Sequence, residues 1–247
     1  MSRGTPLPLL RNRRASGRHE QISGRRSRSQ GVGHFATRSA TAATGWPTAG
    51  TVAGLAQKPG VVLLYPGAGA SRDQTTLVTI DAAVTALKGW SGVRADFPYR
   101  KEGRRSPDRP PVLMNAVREE LAAIGGRKRV VVGGRSMGGR ICSMVAAGAD
   151  ELAPPKLVVG VVTVAYPLHP PGRPDRLRVE HMPSVTVPWL FVQGTRDPFG
   201  TPDELTEWTK TVTGPVTHHW IENRGHDLKG SDIEVSRVIT DWLGQLR

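Results

Sequence analysis

The chain has 247 residues, a formal net charge of +13 and one cysteine, Cys142. A single cysteine excludes an intramolecular disulfide, and the length suits one domain of ordinary α/β size. No apolar run reaches membrane-spanning length, and the apolar stretch 157–168 reads as a buried strand. The N-terminal sequence lacks the apolar core of a secretory signal, so we expect a cytoplasmic protein with no membrane partner.

The basic charge is concentrated in residues 1–50, which we predict to be a disordered tail. Nine arginines and one acidic residue, Glu20, precede residue 46, and the segment has no apolar periodicity. Such a tail suits nucleic acid or an acidic partner, whereas a solvated tail or a misplaced start codon is the competing interpretation. Nucleic acid is disfavoured because Phe35 is the one aromatic residue before residue 46 that could stack on bases.

Residues 51–247 are predicted to form a single α/β domain. Apolar strands alternate with amphipathic helices, which predicts a mostly parallel sheet with helices on both faces. The predicted strands cover residues 61–65, 93–97, 129–133, 157–165, 188–194 and 218–222, and the predicted helices cover 75–88, 111–124, the segment ending near 147, a segment starting near 202, and 231–246. The connection 166–187 is rich in proline and lacks helical periodicity, so we predict that no cap domain covers the site.

The loop after the first strand reads P-G-A-G-A and begins at Pro66. This position suits a loop that stabilises an oxyanion, with the backbone N–H of Ala68 as a donor and Gly67 close to substrate. A dinucleotide-binding loop is the alternative, but Arg72 stands where that motif needs a third small residue. We therefore predict no cofactor.

Residues 130–140 read V-V-V-G-G-R-S-M-G-G-R, which is a buried strand followed by a G-x-S-x-G turn and a helix. This pattern is typical of a nucleophile elbow with Ser136 at its apex. Bulky side chains at Gly134 and Gly138 would obstruct the close packing around the turn, and the N–H of Met137 is a second oxyanion donor. The competing interpretation is a glycine-rich turn that contains a serine by chance.

An acidic residue and a histidine follow in the order Ser, Asp, His. Asp197 comes just after the strand P-W-L-F-V-Q-G, and His226 lies on the loop after the last strand. Carboxyl ends of parallel strands meet at one edge, so Asp197 can orient His226, and His226 can take the proton of Ser136. As alternatives, Asp197 caps a turn before Pro198, or His226 is an ordinary surface histidine.

Other residues are candidates for substrate contact because of their position. Arg135 flanks the nucleophile, Tyr99 follows the second strand, and His169 lies in the proline-rich connection. The consecutive residues His218 and His219 face opposite sides of a strand and cannot jointly bind a metal. We predict no metal site.

At these motifs the chain resembles the α/β-hydrolase superfamily. More narrowly, it resembles the hydrolase-like domain of testis-expressed protein 30 and of the third regulatory subunit of the NSL acetyltransferase complex. The matching segments are Y-P-G-A-G-A, G-G-R-S-M-G-G-R, Y-P-L-H-P-P-G, F-V-Q-G-T-R-D and the His226 loop, within residues 60–247. Dienelactone-hydrolase-like enzymes are similar in architecture but use a cysteine where this chain has Ser136. The resemblance implies an α/β-hydrolase fold with Ser136, Asp197 and His226 in the catalytic positions.

Two functions follow from these patterns. The first is a serine hydrolase that cleaves small-molecule carboxylic esters or thioesters through an acyl-serine intermediate. The second is a non-catalytic interaction module, because some relatives act as scaffolding subunits and a fold alone does not establish turnover. In that case the tail or the Arg-rich loop 99–109 holds an acidic partner. The patterns do not indicate an oligomeric state.

Overall fold

The computed structural model describes residues 59–126 and 128–246. The predicted tail, residues 1–50, lies outside the described residues. Within them, six parallel strands form one sheet in the order β2-β1-β3-β4-β5-β6. The strands are β1 Gly60–Tyr65, β2 Trp90–Arg94, β3 Arg129–Arg135, β4 Val158–Val164, β5 Trp189–Gly194 and β6 Val216–Ile221.

Helices cover both faces of this sheet, as predicted for a parallel sheet. The helices are α1 Thr75–Ala86, α2 Pro98–Lys101, α3 Pro110–Ile124, α4 Met137–Ala147, α5 Pro202–Thr209 and α6 Asp232–Leu243. Apolar residues of α3, α4 and α5 form the core on one face, and those of α1 and α6 form the core on the other. Strand β1 shows why both faces are needed: Leu63 joins the first core and Leu64 joins the second.

The second strand begins three residues earlier than predicted, and the prediction of 93–97 is wrong. Pairing with β1 starts at Trp90 opposite Gly60 and ends at Arg94. Gly92, which interrupts the apolar pattern, lies against α1, where an added Cβ would come within 1.9 Å of a carboxylate oxygen of Asp81. The apolar residues after Arg94, Ala95 and Phe97, are buried, and the N–H of Ala95 still donates to Leu64 of β1 at 3.0 Å, although the strand itself ends at Arg94.

The connection between β4 and β5 contains one short helical element, a 3-10 turn at Met182–Ser184. The expectation of a connection without a helical cap therefore agrees with the described residues 166–187. Helix α5 begins with a capping box in which Thr201 and Glu204 satisfy each other's backbone N–H groups. No helix among the described residues is both long and apolar enough to cross a bilayer.

Candidate active site

Ser136 lies at a sharp turn between β3 and α4. Its backbone has φ 50° and ψ −117°, a conformation that side-chain-bearing residues rarely adopt. An added Cβ at Gly134 would lie 2.0 Å from the carbonyl oxygen of Tyr65, and one at Gly138 would lie 2.3 Å from the same atom. The two glycines therefore let the turn press against the end of β1, which holds the serine in this conformation.

The side chains of Ser136, His226 and Asp197 form a continuous hydrogen-bonded chain. His226 Nδ1 lies 2.8 Å from Oδ2 and 3.1 Å from Oδ1 of Asp197, and His226 Nε2 lies 2.8 Å from Ser136 Oγ. An ionised carboxylate can only accept, so Nδ1 carries the proton and Nε2 accepts from the serine hydroxyl. We call these three residues the triad.

The sheet topology explains how residues so distant in sequence meet. Strands β3, β5 and β6 run parallel, and each triad residue follows the carboxyl end of one of them. Gly194 at the end of β5 allows the last two loops to approach, because an added Cβ would lie 2.3 Å from the carbonyl oxygen of Arg224. The triad therefore lies at the sheet edge where ligands of α/β proteins bind.

The carboxylate of Asp197 is buried and accepts further hydrogen bonds. Gln193 donates from Nε2 to Oδ2 at 2.9 Å, and the backbone N–H of Phe199 donates to Oδ1 at 2.8 Å. Gln193 is itself fully buried, and its Oε1 accepts the N–H of Tyr166 at 2.7 Å. Sequence reasoning assigned Gln193 no role, although one polar residue at the end of an apolar strand was a usable signal.

Two residues hold the imidazole of His226 in place. The ring of Phe199 stacks on the His226 ring with a centroid separation of 4.0 Å and an interplanar angle of 29°. Arg135 donates from Nη2 to the carbonyl oxygen of His226 at 2.8 Å. Burial lowers the pKa of the Arg135 guanidinium. Arg135 thus contacts the histidine loop as well as the cavity described next.

A cavity of about 510 Å³ opens beside the triad. Its wall includes Ser136, His226 and Met137, together with Gly67 and Ala68 from the loop after β1. Both predicted oxyanion donors, Ala68 and Met137, therefore belong to the same cavity as the nucleophile. The wall also includes Gln74, whose Oε1 accepts the backbone N–H of Gly67 at 3.3 Å.

Tyr99 and His169 are not among the residues that line this cavity, and their contact with substrate stays a prediction. Tyr99 lies on the short helix α2 that sequence reasoning took for a loop, and its buried hydroxyl accepts the N–H of Gly69 at 3.2 Å. His169 is also buried, and its Nδ1 lies 2.9 Å from the carbonyl oxygen of Pro170. Both side chains serve packing and loop position.

The consecutive histidines of β6 face opposite sides, as their spacing predicts. His218 contacts the hydroxyl of Thr209 on α5 at 3.0 Å, and His219 contacts the carboxylate of Glu234 on α6 at 2.9 Å. Among the described residues, no three His, Cys, Asp or Glu side chains group in a way that could hold a metal ion.

Comparison with solved structures finds the same fold. Est1E from Butyrivibrio proteoclasticus is 12% identical, with a TM-score of 0.60 over 77% of this chain and 89% of that one. A serine hydrolase homologue from Coxiella burnetii is 19% identical, with a TM-score of 0.60 over 77% and 87% of the two chains. Dienelactone hydrolase from Anabaena variabilis is 20% identical, with a TM-score of 0.60 over 76% and 87%.

The comparison with protein families agrees with the fold. Residues 58–238 match the family model described as an alpha/beta hydrolase domain, and this match spans most of the chain. This chain therefore belongs to the α/β-hydrolase family.

Proposed function

We propose that the protein is a serine hydrolase that cleaves small carboxylic esters or thioesters through an acyl-Ser136 intermediate. The observation that carries the proposal is the triad, with contacts of 2.8 Å from Asp197 to His226 and from His226 to Ser136. These contacts are within the reach that a nucleophile and its base require.

In the proposed reaction, Oγ of Ser136 attacks the acyl carbonyl while Nε2 of His226 takes the hydroxyl proton. The buried carboxylate of Asp197 stabilises the imidazolium that forms. The C–O or C–S bond of the substrate then breaks, and His226 returns the proton to the leaving alcohol or thiol. Water, activated by His226, attacks the acyl-serine and releases a carboxylic acid.

The negative charge on the carbonyl oxygen needs hydrogen-bond donors close to Ser136. The N–H groups of Met137 and Ala68 are the proposed donors, since both residues line the cavity that contains Ser136. Met137 is the first residue of α4, where backbone N–H groups have no partner within the helix. The helix dipole also favours negative charge at this end.

Three observations support a small ester or thioester as substrate. The cavity volume of about 510 Å³ lies in the range of small-molecule sites. Structural neighbours include a dienelactone hydrolase and an esterase domain from Rhodothermus marinus. The connection between β4 and β5 contains the 3-10 turn Met182–Ser184 and no helical cap, which agrees with an open site. The narrower likeness to testis-expressed protein 30 and a cytoplasmic compartment are further parts of the proposal.

The test uses a fluorophosphonate probe, which reacts with an activated serine. We expect the wild-type protein to be labelled and Ser136→Ala to be unlabelled, with hydrolysis of short aryl esters lost in the same variant. Ser143→Ala is a matched control, because this buried serine on α4 contacts Arg140 and His181 rather than the triad. Folded wild-type protein that is neither labelled nor active would favour the non-catalytic interaction module.

A further inference from the structure

Three arginines line the cavity next to Ser136: Arg135, Arg140 and Arg178. No Asp or Glu among the described residues belongs to the same wall. The proposed reaction uses Arg135 only through its hydrogen bond to the carbonyl of His226. The proposed reaction assigns no role to Arg140 or Arg178.

These two arginines reach the cavity from different parts of the fold. Arg140 lies in the first turn of α4, four residues after the nucleophile. Arg178 lies in the connection between β4 and β5, which passes over the carboxyl end of the sheet. Their convergence on one cavity is therefore a property of the tertiary structure and not of a local sequence run.

Neither guanidinium has a carboxylate partner among the described residues. Nε of Arg140 is buried and has no hydrogen-bond partner there. Arg178 donates from Nη1 to the carbonyl oxygen of Pro167 at a long 3.4 Å. The pKa of Arg178 is lowered, first by burial and then by repulsion from Arg140. A buried donor without a partner and two neighbouring like charges are both unfavourable unless an anion is bound.

Two arginines elsewhere in the domain have carboxylate partners. Arg118 binds Asp150 through two hydrogen bonds, and Arg94 binds Asp81 at 2.9 Å. Those ion pairs join neighbouring parts of the fold. The contrast separates Arg140 and Arg178 from these two arginines, because both line a cavity and have no carboxylate partner among the described residues.

We propose that Arg140 and Arg178 bind an oxyanion group, a carboxylate or a phosphate, that the ester substrate carries in addition to its reacting carbonyl. This assignment rests on the proposed function of Ser136. The planar guanidinium presents donors in a fork that matches both groups. The substrate class is thus an acidic ester or thioester, and neutral esters of the same size are poorer substrates.

The test compares matched esters on the full-length protein. An aryl hemisuccinate has a free carboxylate, its methyl ester is neutral, and an aryl ester carrying a phosphate monoester distinguishes the two anions. We expect wild-type kcat/KM for the better anionic ester to exceed that for the neutral ester by about 10- to 100-fold. Arg140→Gln and Arg178→Gln each reduce this ratio by about 10-fold, and added salt reduces it as well.

Arg237→Gln is the matched control, since Arg237 is an exposed arginine on α6 that pairs with Asp241 at 3.6 Å. We expect this variant to keep the wild-type ratio. The inference is overturned if the wild-type ratio is near one, or if neither cavity variant changes the ratio. Hydrolysis of the neutral ester in that case still supports the serine-hydrolase proposal.

Calorimetry on Ser136→Ala separates binding from turnover. We expect the aryl hemisuccinate or the phosphate-bearing ester to bind this variant, and the additional Arg140→Gln change to weaken that binding by about 10-fold. If wild-type protein is not labelled by the fluorophosphonate but this arginine-dependent binding is present, the catalytic proposal fails and the anion site stands. Binding that does not depend on Arg140 counts against the site.

Discussion

Gln193 sets the position of the acidic residue of the triad. Its amide nitrogen donates to Asp197 at 2.9 Å and its amide oxygen accepts from the backbone of Tyr166 at 2.7 Å. The side chain is fully buried at the end of β5, so no solvent replaces these bonds. In the proposed reaction, Gln193 therefore acts through Asp197 as a positioning residue.

We expect Gln193→Met to lower kcat for aryl esters by about 10-fold, because a charge-assisted hydrogen bond to Asp197 is lost. Gln193→Glu should lower kcat further, since a second carboxylate beside Asp197 repels it and competes for the proton of His226. Steady-state kinetics with KM and kcat resolved, and the rate of fluorophosphonate labelling, measure both effects.

Gln245→Met is the control for this series. Gln245 is exposed just after α6, and its side chain donates to the carbonyl oxygen of Asp241 in that helix at 3.2 Å. Its kinetics should match those of the wild type. If Gln193→Met were as active as Gln245→Met, the Gln193 bond would have no part in positioning the triad.

At the scale of single residues, the sequence predicts those that sit in a local pattern. Ser136 lies in G-x-S-x-G, and Asp197 and His226 each follow a strand. Arg140 and Arg178 could not be assigned in this way, because their shared cavity depends on how a helix and a distant connection pack. Tyr99 was misplaced because a four-residue helix leaves no periodic signal.

At the scale of elements, His181 ties the β4–β5 connection to α4. It precedes the 3-10 turn and is buried, and its Nε2 lies 2.8 Å from the hydroxyl of Ser143. That hydroxyl donates to the carbonyl of Arg140 at 2.7 Å, so His181 is the donor in the pair. Burial, and then repulsion from Arg140, lowers the pKa of His181 to about 4 from its usual 6.5.

This shift predicts a loss of stability on acidification. Between about pH 6.5 and pH 4 the unfolded chain binds a proton at His181 that the folded chain does not, so the free energy of unfolding falls as the pH falls. Above about pH 6.5 His181 causes no loss of stability, and by pH 4 the loss in the free energy of unfolding amounts to about 3 kcal/mol. Urea unfolding at several pH values measures it.

His181→Gln is the matched variant, since a glutamine amide can still donate to Ser143 but does not titrate. Its free energy of unfolding should depend less on pH than that of the wild type, by about 3 kcal/mol between pH 7 and pH 4. Identical pH dependence of the two proteins would show that the pKa of His181 is the same in the folded and the unfolded chain, which contradicts the prediction.

Element boundaries also show where sequence reasoning reaches its limit. The sequence predicts the positions of β1, β3 and β5 well because each is a continuous apolar run. Strand β2 was misplaced since it contains Gly92, whose missing side chain makes room for Asp81 of α1. Such a requirement comes from a partner helix and is not visible in the strand itself.

At the scale of the whole molecule, strand and helix alternation was sufficient to predict a parallel sheet with two covered faces. The same alternation places the three triad residues at one edge, because each follows a strand that runs in the same direction. The residues that line the cavity could not be predicted from the sequence, since they depend on which side chains of separate loops meet there.

The backbone of Ser136 also sets a limit on the stability of the molecule. A conformation with φ 50° and ψ −117° costs a side-chain-bearing residue about 1–3 kcal/mol, whereas glycine adopts it freely. Ser136→Gly should therefore melt at a temperature about 2–12 °C above that of Ser136→Ala, which removes the hydroxyl but keeps the β carbon. Equal melting temperatures would contradict this expectation.

A domain of this architecture that does not need the serine hydroxyl would thus gain thermal resistance from a single glycine at the turn after β3. Under the proposed function, the serine found there lowers the stability of the fold and in return places a hydroxyl at the turn.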